Sequence, residues 1–260
     1  MRITTILNLY KRPQNLEKQV AAVQANIEYL QSLPMSGKIE HELWLWSNNP
    51  NITGNDYDLS KFDLIVTASK NMKFHGRFAL ANLAPNGFIS ILDDDTIPGK
   101  KWYWNCFREG YARPAIFGGA GVILESRAYA IPGMPQMHTR VGWPSKNEKT
   151  VNADLVGHAW FFSRDILTHL WREVPITMEN CEDMQLSYMA QKYGNIPTLC
   201  PPHPESDREM WSSLYPNELG DDQVASSNAR NPDYQKFCDL RNMCVSYFID
   251  NGWKTVRNIK

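Results

Sequence analysis

The sequence predicts an α/β fold with a mixed, mostly parallel central sheet flanked by helices. Short apolar runs alternate with segments of helical periodicity, and polar segments directly follow three of the runs. The 260 residues, 43% of them hydrophobic and 12% aromatic, are enough to bury one sizeable core. We therefore expect a single domain over 1–260, with one half in 1–100 and a second half, ending in a helix, in 101–260.

The elements of the first half follow in order. An apolar run at 3–9 predicts the first strand. Apolar residues then recur at helical spacing from 16 to 30, with a proline on either side, which predicts an amphipathic helix. Strands are predicted at 43–46, 64–66 and 88–92, with a helix over about 77–83.

The second half has a different pattern. We interpret the glycine cluster at 117–121 as a loop, because it lacks the spacing of a phosphate-binding motif. The stretch 201–232 is rich in Pro, Ser, Asn and acids and predicts a long loop that closes over a substrate. A helical stripe predicts that a C-terminal helix packs back onto the sheet; it consists of Phe237, Leu240, Cys244, Tyr247 and Phe248.

Composition excludes some classes of protein. A formal net charge of -1 gives no overall attraction to nucleic acid. The five cysteines form no CxxC pair, and their odd number argues against a complete disulfide framework. About 18 consecutive apolar residues occur nowhere, and we see no signal peptide or membrane anchor. The expectation is a cytoplasmic protein.

Three consecutive aspartates, Asp93, Asp94 and Asp95, follow the apolar run at 88–92. Adjacent negative charges at the edge of an apolar core are costly unless a cation offsets them. Alternation along a strand would place Asp93 and Asp95 on one side and Asp94 on the other. Their oxygens suit Mg²⁺ or Mn²⁺, ions that also bind substrate phosphates. A solvated turn is the simpler alternative, since Asp is common where strands end.

Polar segments follow the first two predicted strands as well, at 10–13 and 47–50. In open parallel sheets, ligands bind beyond the carboxyl ends of the strands. We therefore expect these two segments and the aspartates to form one nucleotide pocket.

A second acidic site, Glu182 and Asp183, lies in the first turn of a helix predicted to end near Gly194. Acids there also stabilise the helix dipole, with Asn180 as the cap, so this pair alone does not indicate a site. In combination with three aspartates it indicates separate roles for the carboxylates. One set would hold a metal, and the other would face the reacting carbon or an acceptor hydroxyl.

These motifs, taken together, resemble the exostosin-like family of GT-A glycosyltransferases. The order and approximate spacing agree over most of the chain. The matching residues are Tyr10 to Pro13, Asn48 and Asn49, Arg77, Asp93 to Asp95, Gly157 to Phe162, and Asn180 to Asp183.

The resemblance implies a GT-A-type nucleotide-diphospho-sugar transferase fold, with a nucleotide-binding half at 1–100 and an acceptor-binding half at 101–260. It implies a transferase that takes a sugar from a nucleotide diphosphate, most simply UDP, with Mn²⁺ or Mg²⁺ as cofactor and retention of anomeric configuration. A glycan or another hydroxyl compound would accept the sugar.

The resemblance also implies roles for single residues. Asp95 would bind the metal directly, together with Asp93, and the catalytic residues would be Asp183, Glu182 and Arg77. The nucleotide sugar would contact Tyr10, Arg12, Asn49, Arg77, Asp93, Asp94 and Arg241. The acceptor side would include Gly157, His158 and Trp160.

Alternatives stay open for several of these residues. Arg77 is a phosphate clamp or a surface salt bridge, and Arg241 is equally well an ordinary residue on a helix surface. His203 is more simply a polar loop residue than a metal ligand. Most tryptophans belong to the core, although some could offer flat surfaces to sugar rings.

Other functions remain open beside glycosyl transfer. A haloacid-dehalogenase-like phosphatase needs Thr or Val where Ile97 stands, and it would carry its motif near the N-terminus. A non-catalytic carbohydrate-binding protein would retain binding without turnover. A hydroxymethylated base of viral DNA could be the acceptor, and a basic groove and steep salt dependence would indicate it.

Overall fold

The computed structural model describes residues 1–34, 37–52, 58–111, 113–134, 136–215, 225 and 227–260. The strands are β1 (Arg2–Leu9), β2 (Glu40–Ser47), β3 (Leu64–Thr67), β4 (Phe88–Leu92), β5 (Ile116–Leu124), β6 (His138–Gly142), β7 (Val151–Asn152), β8 (Leu155–Ser163) and β9 (Thr198–Cys200). The helices are α1 (Leu16–Ser32), α2 (Gly76–Ala81), α3 (Trp102–Gly110), α4 (Arg164–Leu170), α5 (Glu182–Gly194) and α6 (Tyr234–Asp250).

These strands form one mixed sheet in the order β3-β2-β1-β4-β8-β5-β9-β7, with β6 paired to β5. Strands β1 to β4 are parallel, whereas β8 runs antiparallel to both β4 and β5. Strand β9 is parallel to β5. Six of the strands in the described residues therefore share one direction, which confirms the predicted fold class.

Helices cover both faces of the sheet. On one face, α2, α4 and α5 pack through Phe78, Leu167 and Leu186 against strands β4 and β8. On the other face, α1 and α3 bury side chains such as Val23 and Trp102. The predicted helix at 16–30 is confirmed, and the one predicted at about 77–83 spans Gly76–Ala81.

The glycine cluster is not a loop, and that prediction was wrong. It lies in the buried strand β5, between β8 and β9. A Cβ on Gly118 would lie 2.4 Å from the Cβ of Val156, and one on Gly119 would lie 2.2 Å from the Oγ of Ser212. Val156 and Ser212 thus approach these glycines so closely that a larger residue would not fit there. Close approach of neighbouring residues, and not only a turn or loop, can therefore require glycine in a strand.

The C-terminal helix is confirmed as α6, and it packs against α5 and the sheet. Its buried face differs from the predicted stripe, because Tyr247 is 43% exposed whereas Cys238 and Arg241 are buried. The predicted loop at 201–232 contains a short 3-10 turn at Arg208–Met210, and residues 216–224 and 226 lie outside the described residues.

No described helix is long and apolar enough to cross a membrane. All five cysteines are buried and free.

Candidate functional site

A cavity of about 720 Å³ opens at the carboxyl ends of β1, β2 and β4 and extends between β8, α5 and α6. The three predicted polar segments meet there. The side-chain amide of Asn49 donates to the carbonyl of Tyr10 (2.7 Å), and the backbone N–H groups of Tyr10 and Lys11 donate to Asp94. The predicted convergence is confirmed.

Asp94 is the most deeply buried of the three aspartates, and its partners belong to the segment after β1. Its Oδ2 accepts from the N–H of Lys11 at 2.9 Å, and its Oδ1 pairs with the guanidinium of Arg12 at 2.5 Å. The amide of Asn15 donates to its backbone carbonyl at 2.8 Å. Asp94 therefore fixes the loop after β1 against the aspartate turn.

Asp93 and Asp95 face a different group of side chains. Strand β4 ends at Leu92, so the aspartates lie in a turn rather than in the strand. One oxygen of each and a ring nitrogen of His158 all lie within 4.8 Å of one another. The Nδ1 of His158 is 3.3 Å from Oδ1 of Asp95.

Arg77 joins this group to the second acidic site. Its Nη1 is 2.8 Å from Oδ1 of Asp93, and its Nη2 is 2.8 Å from Oε1 of Glu182. The guanidinium is buried and lies 4.9 Å from the ring of Trp160. Arg77 is thus a buried bridge between two carboxylates, not a surface salt bridge.

Asp183 is held by Arg241. The two form a bidentate pair, with Nη2 to Oδ2 at 2.8 Å and Nη1 to Oδ1 at 3.2 Å. The Arg241 guanidinium, 4% exposed, lies over the ring of Tyr129 at 4.2 Å. Arg241 is therefore not a helix-surface residue.

Asn180 is not the cap of α5 as predicted. The cap position belongs to Cys181, whose φ is 70°. The side-chain oxygen of Asn180 instead accepts from the N–H of Cys181 at 2.6 Å and from Arg241 at 3.2 Å. Glu182 and Asp183 do occupy the first turn of α5, as predicted.

Burial changes the protonation of this site. It raises the pKa of Asp93 above its usual value, against the opposing attraction of Arg77. Burial, followed by repulsion from Asp183, raises the pKa of Glu182. Burial also lowers the pKa of His158 to about 4, so the imidazole is neutral at pH 7.

The site suits a divalent cation on two grounds. First, the donor set of two carboxylates and a neutral imidazole matches divalent ions of the Mn²⁺ type. Second, five carboxyl groups lie close together and only three guanidinium groups pair with them: Asp93, Asp94, Asp95, Glu182 and Asp183 against Arg12, Arg77 and Arg241. A divalent cation would favour the ionised form of the carboxyl groups whose pKa burial raises, so the residues fit Mn²⁺ or Mg²⁺.

The other predicted site residues occupy varied positions. Tyr10, Arg12 and Gly157 line the cavity, whereas Asn49 holds the Tyr10 loop from behind. Trp160 also lies at the cavity wall, but it packs against Arg77 and is only 2% exposed. His158, assigned by resemblance to the acceptor side, lies beside Asp95.

Sequence reasoning did not predict that Tyr129, Arg140 or Phe237 line the cavity. Phe237 was predicted only as part of the stripe of the C-terminal helix. Trp143, one of several tryptophans that could offer a flat surface to a sugar ring, lines the cavity as well. Only the folded chain brings these residues together. His203 is not at the site. It is fully buried and bonds to Pro201 and Ser212.

Comparison with known proteins finds a similar fold among solved structures. No family model matches the sequence, and no curated protein matches it. A structure of S. aureus TarS 1–349 in complex with UDP-GlcNAc is similar, with 12% identity and a TM-score of 0.50, over 96% of this chain and 72% of that chain. A second structure of TarS 1–349 has 14% identity and a TM-score of 0.48, over 79% of this chain.

This chain covers 61% of the length of that second structure. At these identities the likeness shows the fold alone. The chain has a mixed α/β fold that it shares with TarS, in agreement with the predicted fold class, and the likeness does not bear on the exostosin-like family in particular.

Proposed function

We propose that this protein is a metal-dependent glycosyltransferase that moves a sugar from a nucleotide diphosphate, UDP in the simplest case, to an acceptor hydroxyl. One observation carries the proposal. Arg77 links Asp93, in the candidate cation group, to Glu182, in the second acidic site, inside one cavity. The proposed metal end of the cavity, at Asp93 and Asp95, and its acid end, at Glu182 and Asp183, are thus connected by one side chain.

The donor would bind at the end formed by the loop after β1. Tyr10 and Arg12 line the cavity there, next to Asp93 and Asp94. The fold likeness supports a nucleotide-sugar donor in general, since the similar TarS structure is a complex with UDP-GlcNAc, whereas the placement at this end rests on the cavity lining. We assign the nucleotide to the Tyr10 to Arg12 loop and the diphosphate to the region of Asp93 and Asp95.

A bound divalent cation would supply positive charge to the leaving diphosphate. Asp95 and Asp93 are the carboxylates that would hold it. Arg77 sits between this group and Glu182, where it donates a hydrogen bond to Glu182 and forms an ion pair with Asp93, and so fixes their separation. Arg241 similarly fixes the orientation of Asp183.

The acid end would face the acceptor. Oε1 of Glu182 is bonded to Arg77, whereas Oε2 has no hydrogen-bond partner among the described residues. Both oxygens of Asp183 are engaged by Arg241. Glu182 is therefore the carboxylate with an oxygen available for an acceptor hydroxyl, and Asp183 is the one held in a fixed ion pair.

The stereochemical course has two candidates. Retention is implied by the resemblance to the exostosin-like family. Inversion needs a general base for the acceptor hydroxyl, and the available Oε2 of Glu182 is the observation that favours it. Proton NMR of the first-formed product distinguishes the two through the coupling of its anomeric proton.

A neutral hydroxyl compound such as a glycan is the acceptor that the charges favour. Among described residues the cavity lining is balanced, with seven basic side chains (Lys11, Arg12, Lys73, Arg77, Arg140, Lys236, Arg241) and seven acidic ones (Asp93, Asp94, Asp95, Glu179, Glu182, Asp183, Asp233). DNA with a modified base would require an excess of positive charge. Product formation that weakens steeply with salt would restore the DNA alternative.

Calorimetric titration of nucleoside diphosphates, with and without Mn²⁺, tests the proposal. Wild type should bind UDP only with the metal, and Asp95→Asn should abolish that binding. Asp165→Asn, on the first turn of α4, is the matched control and should bind as wild type does. Absence of nucleotide binding under every condition would overturn the proposal, and binding without turnover of any UDP-sugar would indicate a carbohydrate-binding protein.

A further inference from the structure

The backbone of β8 is irregular at one point, next to the aspartates. Gly118 on β5 pairs with Trp160, but Ala120 pairs with Gly157, so His158 and Ala159 together face a single residue of β5. This is a β-bulge, and bulges beside active sites commonly redirect a side chain. The bulge changes the direction of His158.

His158 itself has φ of 74°, in the left-handed region that residues with a Cβ rarely adopt. Such a conformation costs on the order of 1 to 3 kcal/mol and persists only when its surroundings hold it in place. The carbonyl of His158 accepts from the N–H of Asp93 (3.1 Å) and from the Oγ1 of Thr96 (2.8 Å). The strained residue is thus bonded to both ends of the aspartate turn.

The ring of His158 is held by a second contact. Trp143 stacks on it with ring centroids 3.9 Å apart and an interplanar angle of 21°. The position of Trp143 is fixed in turn, because its backbone N–H donates to the carbonyl of Gly119 at 2.9 Å, opposite the bulge. The imidazole therefore lies between an indole ring and the carboxylate of Asp95.

The distance between His158 and Asp95 matches that of two ligands of one ion. Adjacent ligands of an octahedral ion, bound at about 2.1 Å, lie about 3 Å apart. The Nδ1 of His158 is 3.3 Å from the Oδ1 of Asp95. The side chain of His158 is only 9% exposed, so the nitrogen is largely shielded from bulk water.

We propose that His158 is a third protein ligand of the cation at Asp93 and Asp95, that Trp143 is its positioning residue, and that the imidazole makes the site favour Mn²⁺ over Mg²⁺. This rests on the proposed metal dependence. Imidazole nitrogen binds transition metals well, whereas Mg²⁺ prefers oxygen ligands. The proposal replaces the acceptor-side role that the family resemblance implied for His158.

The test uses the whole protein and metal alone, with no nucleotide or acceptor. Mn²⁺ and Mg²⁺ affinities are measured by calorimetry, and the Mn²⁺ complex is examined by pulsed electron paramagnetic resonance for coupling to ¹⁴N. Wild type should show this coupling and bind Mn²⁺ more tightly. His158→Gln should remove the coupling and weaken Mn²⁺ binding by about 10- to 100-fold, with a much smaller effect on Mg²⁺.

Trp143 has its own expected results. Trp143→Leu should weaken Mn²⁺ binding by about tenfold and disturb the ¹⁴N signal, whereas Trp143→Phe, which keeps a flat ring, should restore most of the affinity. His138→Gln is the matched control. His138 is also a buried histidine stacked on an aromatic ring, that of Tyr129, but it bonds to the carbonyl of Tyr129. It should leave Mn²⁺ binding and the ¹⁴N signal unchanged.

Circular dichroism and urea unfolding establish that each variant is folded. Failure of the inference and failure of the proposed function give different results. If wild type binds Mn²⁺ without ¹⁴N coupling, or if His158→Gln binds it as tightly as wild type, His158 is not a ligand and the proposed function stands. If wild type binds neither ion at any concentration up to the millimolar range, the metal dependence itself is wrong.

Discussion

The two sides of the cavity are built by different means. On the proposed donor side, the loop after β1 and the aspartate turn after β4 meet because these strands are parallel neighbours in the sheet. On the proposed acceptor side, the charged residues come from α5 and α6, and the Arg241–Asp183 pair joins residues 58 positions apart. The first arrangement follows from strand order, whereas the second depends on tertiary packing.

Replacement of Arg77 should have the largest effect, because this residue connects the two sides of the cavity. Arg77→Met would leave Glu182 and Asp93 without their shared cation. Removing one partner of a buried ion pair costs about 3 to 5 kcal/mol, and Arg77 and Glu182 have side chains only 4% and 5% exposed. We expect a loss of that size in the free energy of unfolding, measured by urea denaturation, together with loss of nucleotide binding.

A double mutant tests the reason for this loss. With Arg77→Met already present, Glu182→Gln should cost much less than it does in wild type, because the uncompensated charge is gone. Arg2→Met is the control, since its pair with Glu40 is exposed, and it should give no measurable change. Equal stability of Arg77→Met and wild type would show that the two sides are independent.

His203 tests whether the segment behind the acceptor side is held by a neutral group. Its Nδ1 donates to the carbonyl of Pro201, and its Nε2 accepts from Ser212. Burial lowers the pKa of His203 from 6.5 to about 4. Its stabilising contribution is therefore complete above pH 6.5 and is lost as the pH falls through 4, by up to about 3 kcal/mol.

Urea unfolding of wild type and His203→Gln at pH 7, 6, 5 and 4 measures this contribution. The stability of wild type should fall more steeply with decreasing pH, so that the gap between the two proteins narrows. His41 and His138, with pKa values also lowered by burial, titrate in both proteins and cancel in the difference. A gap that stays constant from pH 7 to pH 4 would refute the prediction.

The sequence predicted the donor side in most of its parts. Buried parallel strands appear in the sequence as short apolar runs, and polar residues follow each run where the strand ends. The order of the strands then brings Tyr10, Asn49 and Asp94 together. Arg77 and Glu182 were predicted to be catalytic through the family resemblance. Their direct contact could not be predicted, because nothing local relates two residues 105 positions apart.

One error and one unexpected position have a common physical cause. The glycines of β5 were predicted to form a loop, and His158, which the resemblance assigned to the acceptor side, lies beside Asp95. Both depend on how closely β5 and β8 approach. Close approach requires glycine on β5, and the bulge on β8 reverses the expected direction of a side chain. Neither the gap between two strands nor a bulge leaves a periodic signal in one sequence.

The glycines of the acceptor side allow a smaller test of the same idea. Gly119→Ala would place a Cβ 2.2 Å from the Oγ of Ser212, which also bonds to His203. Overpacking of this kind costs about 1 to 3 kcal/mol. Gly157→Ala, on the facing strand, is the matched control, because nothing lies within 4 Å of its added Cβ.

The measurement is again urea unfolding, compared at pH 7. Gly119→Ala should lower the denaturation midpoint clearly, whereas Gly157→Ala should change stability by less than about 1 kcal/mol in either direction. Similar midpoints for the two variants would mean that β5 can move away from Ser212. The prediction that neighbouring chain requires glycine in this strand would then be wrong.

The smallest effect is expected at the rim of the cavity, where Glu179 contacts Lys73 at 3.6 Å and Lys236 at 3.1 Å. These ion pairs also join the two sides of the cavity, but every partner is exposed by more than 40%. Solvent and salt screen such pairs, so Glu179→Gln should cost less than about 1 kcal/mol, and less still in 0.5 M NaCl. The Arg77 bridge, being buried, should keep most of its effect in the same salt. A salt-insensitive loss at Glu179 comparable to that at Arg77 would show that burial does not distinguish the two connections.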